Sequence, residues 1–176
     1  MALKITELAR ETIYAHLNEE EFFPDKDTIE KYKDKKASFV TIYKNNKLRG
    51  CIGSLEARQE LWKDVQENAI NAGFHDPRFP PLTDDEFNDI KIEVSVLSTP
   101  KKLSAKNSKL LLDKIHRKMG LILKKATHQA TFLPQVWEEI PNKKDFLEHL
   151  SLKAGLDKDE WESSEIWYYT VESEKE

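Results

Sequence analysis

Residues 37–54 constrain the fold more than any other part of the chain. Residues 37–43 are β-branched or aromatic at most positions, which suits a strand. Lys44-Asn45-Asn46-Lys47 follows. Asn tolerates the positive φ of a tight reversal, so the chain is expected to return as a hairpin into residues 48–54. A second hairpin is expected where residues 120–124 and 129–133 flank Ala126-Thr127-His128. The clearest strand is 90–98, where Ile90, Ile92, Val94 and Val96 alternate with Lys91, Glu93, Ser95 and Leu97. A last strand is read over 166–171. Hairpins pair their strands antiparallel, and helices are interspersed among them. The expected class is therefore α+β, antiparallel sheets with flanking helices.

Ile5, Leu8, Ala9, Thr12, Ile13 and Leu17 recur at helical spacing and predict a helix over 5–17. The charged run 18–21 ends it, and residues 22–24 begin a linker into the polar stretch 25–36. Leu61, Val65, Ala69 and Ala72 predict a helix over 60–72, expected to stop in the left-handed conformation at Gly73. Residues 74–82 hold three prolines and read as a stiff, non-helical loop. Short helices are expected near 83–88 and over 110–115. A longer one is expected over 143–154, capped by Asn142, with Asp145 in its first turn, Phe146, Leu147 and Leu150 inward, and Gly155 at its end. Residues beyond about 172 read as a frayed acidic tail. With 176 residues and no internal repeat or separating linker, the chain fits one domain, or one domain with two lobes.

Charge and cysteine content narrow the function classes. The net charge is -4 and the isoelectric point about 5.8, which disfavours general nucleic-acid binding but leaves a local basic patch open. One cysteine excludes an internal disulfide framework and a Cys-rich zinc site, and agrees with a reducing compartment. The first seven residues hold an acid and no long apolar run, unlike a signal peptide, and no stretch approaches 18 apolar residues. The expectation is cytoplasmic, with no membrane. His16, His116, His128 and His149 lack metal-ligand spacing, and no phosphate loop, dinucleotide fingerprint or nucleophile elbow is present. No metal and no cofactor are expected.

Three segments carry candidate chemistry. In Leu48-Arg49-Gly50-Cys51-Ile52-Gly53, two glycines bracket the cysteine, which suggests a bulge or a close approach by another group. If the segment stays extended, Arg49 and Cys51 share one face and Ile52 takes the other. A guanidinium about 6–7 Å along that face would favour a thiolate. The competing reading is a small buried Cys filling space. In the second segment, His75 beside Asp76 could supply a base and its orienting carboxylate, and Arg78 could hold an anion. Alternatively, Asp76 starts a turn and Arg78 clamps the loop. The third is the polar face of residues 90–98, where Glu93 and Ser95 either meet solvent or line a cleft. In a cleft, Glu93 would serve as acid, base or cation partner.

The same residues carry a family resemblance. Leu48-Arg49-Gly50-Cys51-Ile52-Gly53 resembles the signature of the AMMECR domain family. Asp76-Pro77-Arg78-Phe79-Pro80-Pro81-Leu82, Ile92-Glu93-Val94-Ser95-Val96-Leu97-Ser98 and Phe132-Leu133-Pro134-Gln135-Val136-Trp137 follow in the right order. Phe146-Leu147 and Lys153-Ala154-Gly155 complete the pattern, which covers about residues 5–172. The resemblance implies a single domain over 1–176 in two unequal lobes. The larger lobe holds both termini, and the signature faces a cleft between the lobes. It implies no established activity. It is similar to protein A of the AmmeMemoRadiSam system, which implies a functional link to a Memo-like protein and a radical SAM protein. Two departures stand out: Ser151 where many relatives carry Cys, and Ile115-His116-Arg117-Lys118-Met119-Gly120 where a glycine-richer turn is common.

Two function classes follow. One is an enzyme modifying a small molecule or peptide, with Cys51 as nucleophile or thiolate base, Arg49 as activator, and His75 or Glu93 handling protons. The other is a non-catalytic module that binds a ligand or partner, in which Gly50 and Gly53 let backbone N–H groups approach the ligand, Asp76 and Arg78 contribute to its site, and Cys51 is packing.

Overall fold

In the computed structural model, which describes residues 1–176, the first hairpin forms as expected. Asn45 and Asn46 take φ of 52° and 60° and join β1 (Ala37–Lys44) to β2 (Lys47–Gly53). The chain divides into two units, Met1–Leu97 with Glu172–Glu176, and Ser98–Val171. Both termini belong to the first.

In the first unit, β3 (Ile90–Leu97) pairs with β1, and the strand order is β2-β1-β3-β8, where β8 is Val171–Lys175. One sheet face presents Val40, Ile42, Ile92 and Val94. Against them pack Leu8, Ala9 and Ile13 of α1 (Ile5–Leu17) and Val65, Ala69 and Ala72 of α3 (Leu61–Phe74). Burial of these ten aliphatic groups, at about 1.5–3 kcal/mol for each large side chain, is the main driving force for this layer. A short helix, α2 (Lys26–Lys31), occupies the stretch read as polar linker. Its N-cap Asp25 accepts from the Thr28 N–H at 2.7 Å, and Thr28 Oγ1 accepts from the Leu3 N–H at 2.9 Å.

Two expectations are corrected here. Gly73 does not end α3 in the left-handed conformation, because the helix continues to Phe74. The glycine is buried, and a Cβ there would lie 3.0 Å from Leu82 Cδ1, so packing is what requires it. The acidic end is not frayed either. It forms β8 beside β3, and Ser95 Oγ lies 2.8 Å from Ser173 Oγ. Glu174 accepts from Thr6 Oγ1 at 2.7 Å, and Glu176 takes a two-point contact from Arg10 at 2.6 Å. Of the three acids that would repel one another in a free tail, Glu174 and Glu176 have donors here.

In the second unit the sheet order is β4-β7-β5-β6, formed by Lys101–Leu103, Glu165–Tyr169, Gly120–Lys125 and His128–Phe132. The three-residue β4 was not expected from its polar sequence. Helices α4 (Ser108–Lys114), α5 (Val136–Glu139) and α6 (Lys143–Lys153) flank it. As expected, Asn142 caps α6 by accepting from the Asp145 N–H at 3.0 Å, and Gly155 ends it at φ 80°. Phe146, Leu147 and Leu150 point into the core, where Trp137 stacks on Phe146 at 3.7 Å. The Trp137 indole N–H donates to the Met119 carbonyl at 2.8 Å, so its polar end is satisfied.

Candidate functional site: the clamped cysteine of the edge strand

β2 lies at the edge of its sheet, and the pairing Thr41↔Cys51, Ile42↔Gly50, Tyr43↔Leu48 leaves Arg49 as an extra residue. This β-bulge breaks the alternation that would have put Arg49 and Cys51 on a common face. Gly50 and Ile52 lie on the core side, opposite Ile42 and Val40. Cys51 lies on the other side, half-buried, its Sγ 3.3 Å from Thr41 Oγ1.

The free edge of β2 is closed at Cys51 by the proline-rich loop. Asp76, almost wholly buried, accepts from the Cys51 N–H at 3.0 Å. The same carboxylate accepts from the Arg78 N–H and Nε, each at 3.0 Å, and from Arg78 Nη2 at 2.7 Å. Arg78 Nη2 also donates to the Cys51 carbonyl at 3.2 Å. Carboxylate and guanidinium thus take the two contacts a neighbouring strand would make, which protects an edge that otherwise invites pairing. Hydrogen bonds from Arg78, then from the Cys51 and Arg78 N–H groups, hold the Asp76 carboxyl well below the usual carboxylate range.

Arg49 is engaged elsewhere. Its Nε and Nη2 each donate to Glu86 at 3.0 Å, and Lys44 Nζ reaches the same carboxylate at 3.1 Å. The Arg49 side chain is 11% exposed, its guanidinium carbon is 6.0 Å from the Phe79 ring centroid, and its Nη1 is buried with no acceptor. Chiefly through Arg49, the Glu86 carboxyl is lowered to about 2. The charge expected to serve Cys51 is paired with Glu86, a residue that sequence reasoning did not single out.

The glycines have packing reasons. A Cβ on Gly50 would stand 2.1 Å from the Ala72 carbonyl oxygen of α3, and one on Gly53 would stand 2.2 Å from the Phe39 ring. The space each leaves is filled by the protein itself, not held open for a ligand. Just beyond Gly53, Ser54 Oγ donates to Asp64 at 2.9 Å. That buried carboxylate also accepts from the Ser38 N–H and Oγ at 2.8 and 2.6 Å and from Asn68 Nδ2 at 3.0 Å. Asp64, Asn68 and Ala72 are spaced i, i+4, i+8, so one stripe of α3 sets the height of β1 and β2. An acid and an amide on the apolar side of a helix were the available signal, and it was missed.

His75 caps the end of α3, exposed, with Nδ1 3.0 Å from Asn71 Oδ1. Glu93 lies directly across β1 from Cys51, since both are register partners of Thr41. Tyr43, two residues along β1, has its hydroxyl pushed up, first by burial and then by the charges of Glu93 and Cys51. Cys51, Thr41, Glu93 and Tyr43 therefore form one polar group on the half-exposed sheet face. No cluster of three or more His, Cys, Asp or Glu has metal-binding geometry, and no helix is long and apolar enough to cross a membrane.

The family pattern described as AMMECR1 matches residues 6–175. The chain belongs to the AMMECR1 family. Protein MK0488 of Methanopyrus kandleri is 38% identical, with 97% of this chain and 84% of that protein covered. Protein NEQ441 of Nanoarchaeum equitans is 35% identical, over 98% and 97%. The crystal structure of PH0010, an uncharacterized protein from Pyrococcus horikoshii, superposes with a TM-score of 0.84 at 33% identity, covering 98% of this chain and 89% of that one. Within this AMMECR1 chain, Ser151 is fully buried in α6 and its hydroxyl has no partner. Gly120 closes the departing turn at a point where a Cβ would lie 2.2 Å from the Tyr169 ring.

Proposed function

We propose that this AMMECR1 protein is an enzyme that modifies a small molecule or peptide through Cys51, working in the cytoplasm on its own or beside Memo-like and radical SAM partners. The observation that carries the reading is the treatment of Cys51. Its N–H and carbonyl are fixed along the free edge by a buried carboxylate and a guanidinium, while the residue stays only partly buried, with its thiol next to Thr41. Fixing a nucleophile's backbone while its side chain is not sealed in the core is what preorganised covalent catalysis requires. The Sγ proton would leave by way of the neighbouring Thr41 hydroxyl as sulfur bonds to an electrophilic carbon, Glu93 on the far side of Thr41 being the nearest base along that face, and would return to the departing group as its bond breaks. Asp76 and Arg78 act here as positioning residues. Arg49, held by Glu86, and His75, held by Asn71, are better suited to keeping the segment in place than to proton transfer.

Cys51 is the sole cysteine, so alkylation by iodoacetamide, read by intact mass, reports on it directly. The folded protein is expected to take one adduct at least as fast as free cysteine. Modification only after unfolding in urea would overturn the proposal. The diversion of Arg49 to Glu86 favours the second reading, a non-catalytic module that binds a small molecule or peptide. In that case Cys51→Ala would restore a deletion strain fully.

A further inference from the structure

We infer that the outer edge of β8 is a docking site for an extended, basic segment of another protein, which adds there as a fifth strand. The sheet order β2-β1-β3-β8 leaves two edges. The β2 edge is closed at Cys51 by Asp76 and Arg78. The β8 edge is open. The Glu176 N–H donates to the Ile92 carbonyl at 3.1 Å, and Ser95 Oγ lies 2.8 Å from Ser173 Oγ, so β8 runs antiparallel to β3 with Ser173 opposite Ser95. Bonded and non-bonded residue pairs alternate in such a ladder. The main chains of Glu172 and Glu174 therefore face β3, while the N–H and carbonyl groups of Ser173 and Lys175 face outward. None of these four outward groups has a main-chain partner.

On the helix side of the sheet, a pocket of about 470 Å³ borders the same strand, lined by Glu172, Ser173 and Glu174. Its apolar part includes Val96 and Tyr32, both only partly covered, beside the core residues Ile5, Leu61 and Val94. A strand added to β8 would take main-chain bonds from Ser173 and Lys175 and direct alternate side chains to the pocket side, the two elements of recognition by strand addition. Charge chooses the occupant. A second copy paired about Ser173 would set Glu172 against the other copy's Glu174, acid against acid. Of the pocket's charged groups, Glu174 is taken by Thr6 and Lys31 by the Leu3 carbonyl, which leaves Asp34 and Glu172 against Lys36. The first unit as a whole holds 22 Asp or Glu and 15 Lys or Arg. Both balances favour a segment in which Lys or Arg flanks a branched aliphatic side chain.

The probe is the blocked peptide Thr-Lys-Thr-Val-Thr-Lys-Thr, whose Val and Lys side chains share one face when it is extended. It is titrated into the ¹⁵N-labelled full chain, with amide shifts and hydrogen exchange as readouts. Saturable shifts are expected at Ser173, Lys175 and Val96, with slowed exchange at the Ser173 and Lys175 amides. In the docked register the threonine N–H groups face β8 and those of Val and Lys face away. N-methylation of the threonines is therefore expected to weaken binding about ten-fold more than N-methylation of Val and Lys. Glu in place of Lys in the peptide, or Glu172→Lys at its exposed position in the protein, is expected to weaken binding about three-fold. Equal binding of the two methylated peptides, equal binding of the acidic peptide, unchanged affinity in Glu172→Lys, or shifts that do not saturate would each overturn the site. Slowed exchange at the same amides on raising the protein concentration without peptide would assign the edge to a second copy and overturn it too. None of these readouts involves the Cys51 thiol.

Discussion

Replacing Asp76 with Asn tests whether the clamp on Cys51 holds the edge strand. The substitution keeps shape and removes charge. Four N–H donations converge on this carboxylate, one from Cys51 and three from Arg78. An amide has one oxygen, so its NH₂ must face either the Cys51 N–H or the guanidinium, and both are donors. Losing a charge-assisted bond to a part-buried N–H costs about 1.5–3 kcal/mol. The Arg78 side chain is 55% exposed and is rehydrated, so its share is no more than about 1 kcal/mol. The expected loss is about 2–3 kcal/mol in urea unfolding followed by circular dichroism at pH 7. The pH dependence has a definite sign. The folded carboxyl titrates below its ordinary value of 3.8, so its contribution is complete above that value and is lost as pH falls through it towards the folded one. The gap between wild type and Asp76→Asn is therefore larger at pH 7 than at pH 3. A gap under about 0.5 kcal/mol at pH 7, or one that widens in acid, would refute the clamp.

Gly50→Ala drives a methyl into the Ala72 carbonyl at 2.1 Å, and because that atom is backbone, α3 itself must move; a loss of about 3 kcal/mol is expected, and an unchanged melting temperature would sink the packing account. Glu86→Gln leaves Arg49 largely buried without its counter-charge and should cost about 2–4 kcal/mol, with a coupling of more than about 1 kcal/mol in a double-mutant cycle with Arg49→Met. The Glu86 carboxyl is lowered from 4.5 to about 2, so this stabilisation is present above 4.5 and fades as pH falls towards about 2, measurable by acid titration of both proteins. Ser151→Ala removes a sealed hydroxyl that has no acceptor and favours the helix, so a gain of about 1 kcal/mol is expected; destabilisation would show that the hydroxyl has a partner after all.

The fold was legible wherever one residue pattern had one physical solution. Asn45-Asn46, the alternation from Ile90 to Val94, and the Asn142 and Gly155 caps each specify local backbone, and each is found where expected. It was misread where distant partners decide. Gly73 looks like a stop signal until Leu82 packs against it, and Glu174 and Glu176 look solvated until Thr6 and Arg10 meet them. The candidate site shows the same division. Alternation sends Ile52 to the core and Cys51 away from it. The bracketing glycines pointed to a bulge, which falls at Arg49, but nothing local announces the pairing of Arg49 with Glu86 37 positions on, or the reach of Asp76 and Arg78 to a strand 25 and 27 residues earlier.

Taken residue by residue, most of the signature segment is accounted for by folding. Gly50 admits the carbonyl of α3, Gly53 admits Phe39, Ile52 fills the core, and Arg49 ties the bulge to Glu86. Even Cys51 contributes its main chain to the clamp through groups that every non-proline residue owns. Its sulfur is different. The 3.3 Å contact with Thr41 is one a serine hydroxyl could replace, and a half-buried position does not require a thiol for its volume. Folding thus explains the segment around Cys51 but gives no reason for sulfur at its centre. Cys51→Ser isolates that remainder, since it keeps the clamp, the hydroxyl contact to Thr41 and nearly the same volume. It is expected to match wild type in urea unfolding within about 0.5 kcal/mol and to fail in complementing a deletion strain. Full complementation by Cys51→Ser would leave the segment a purely structural device.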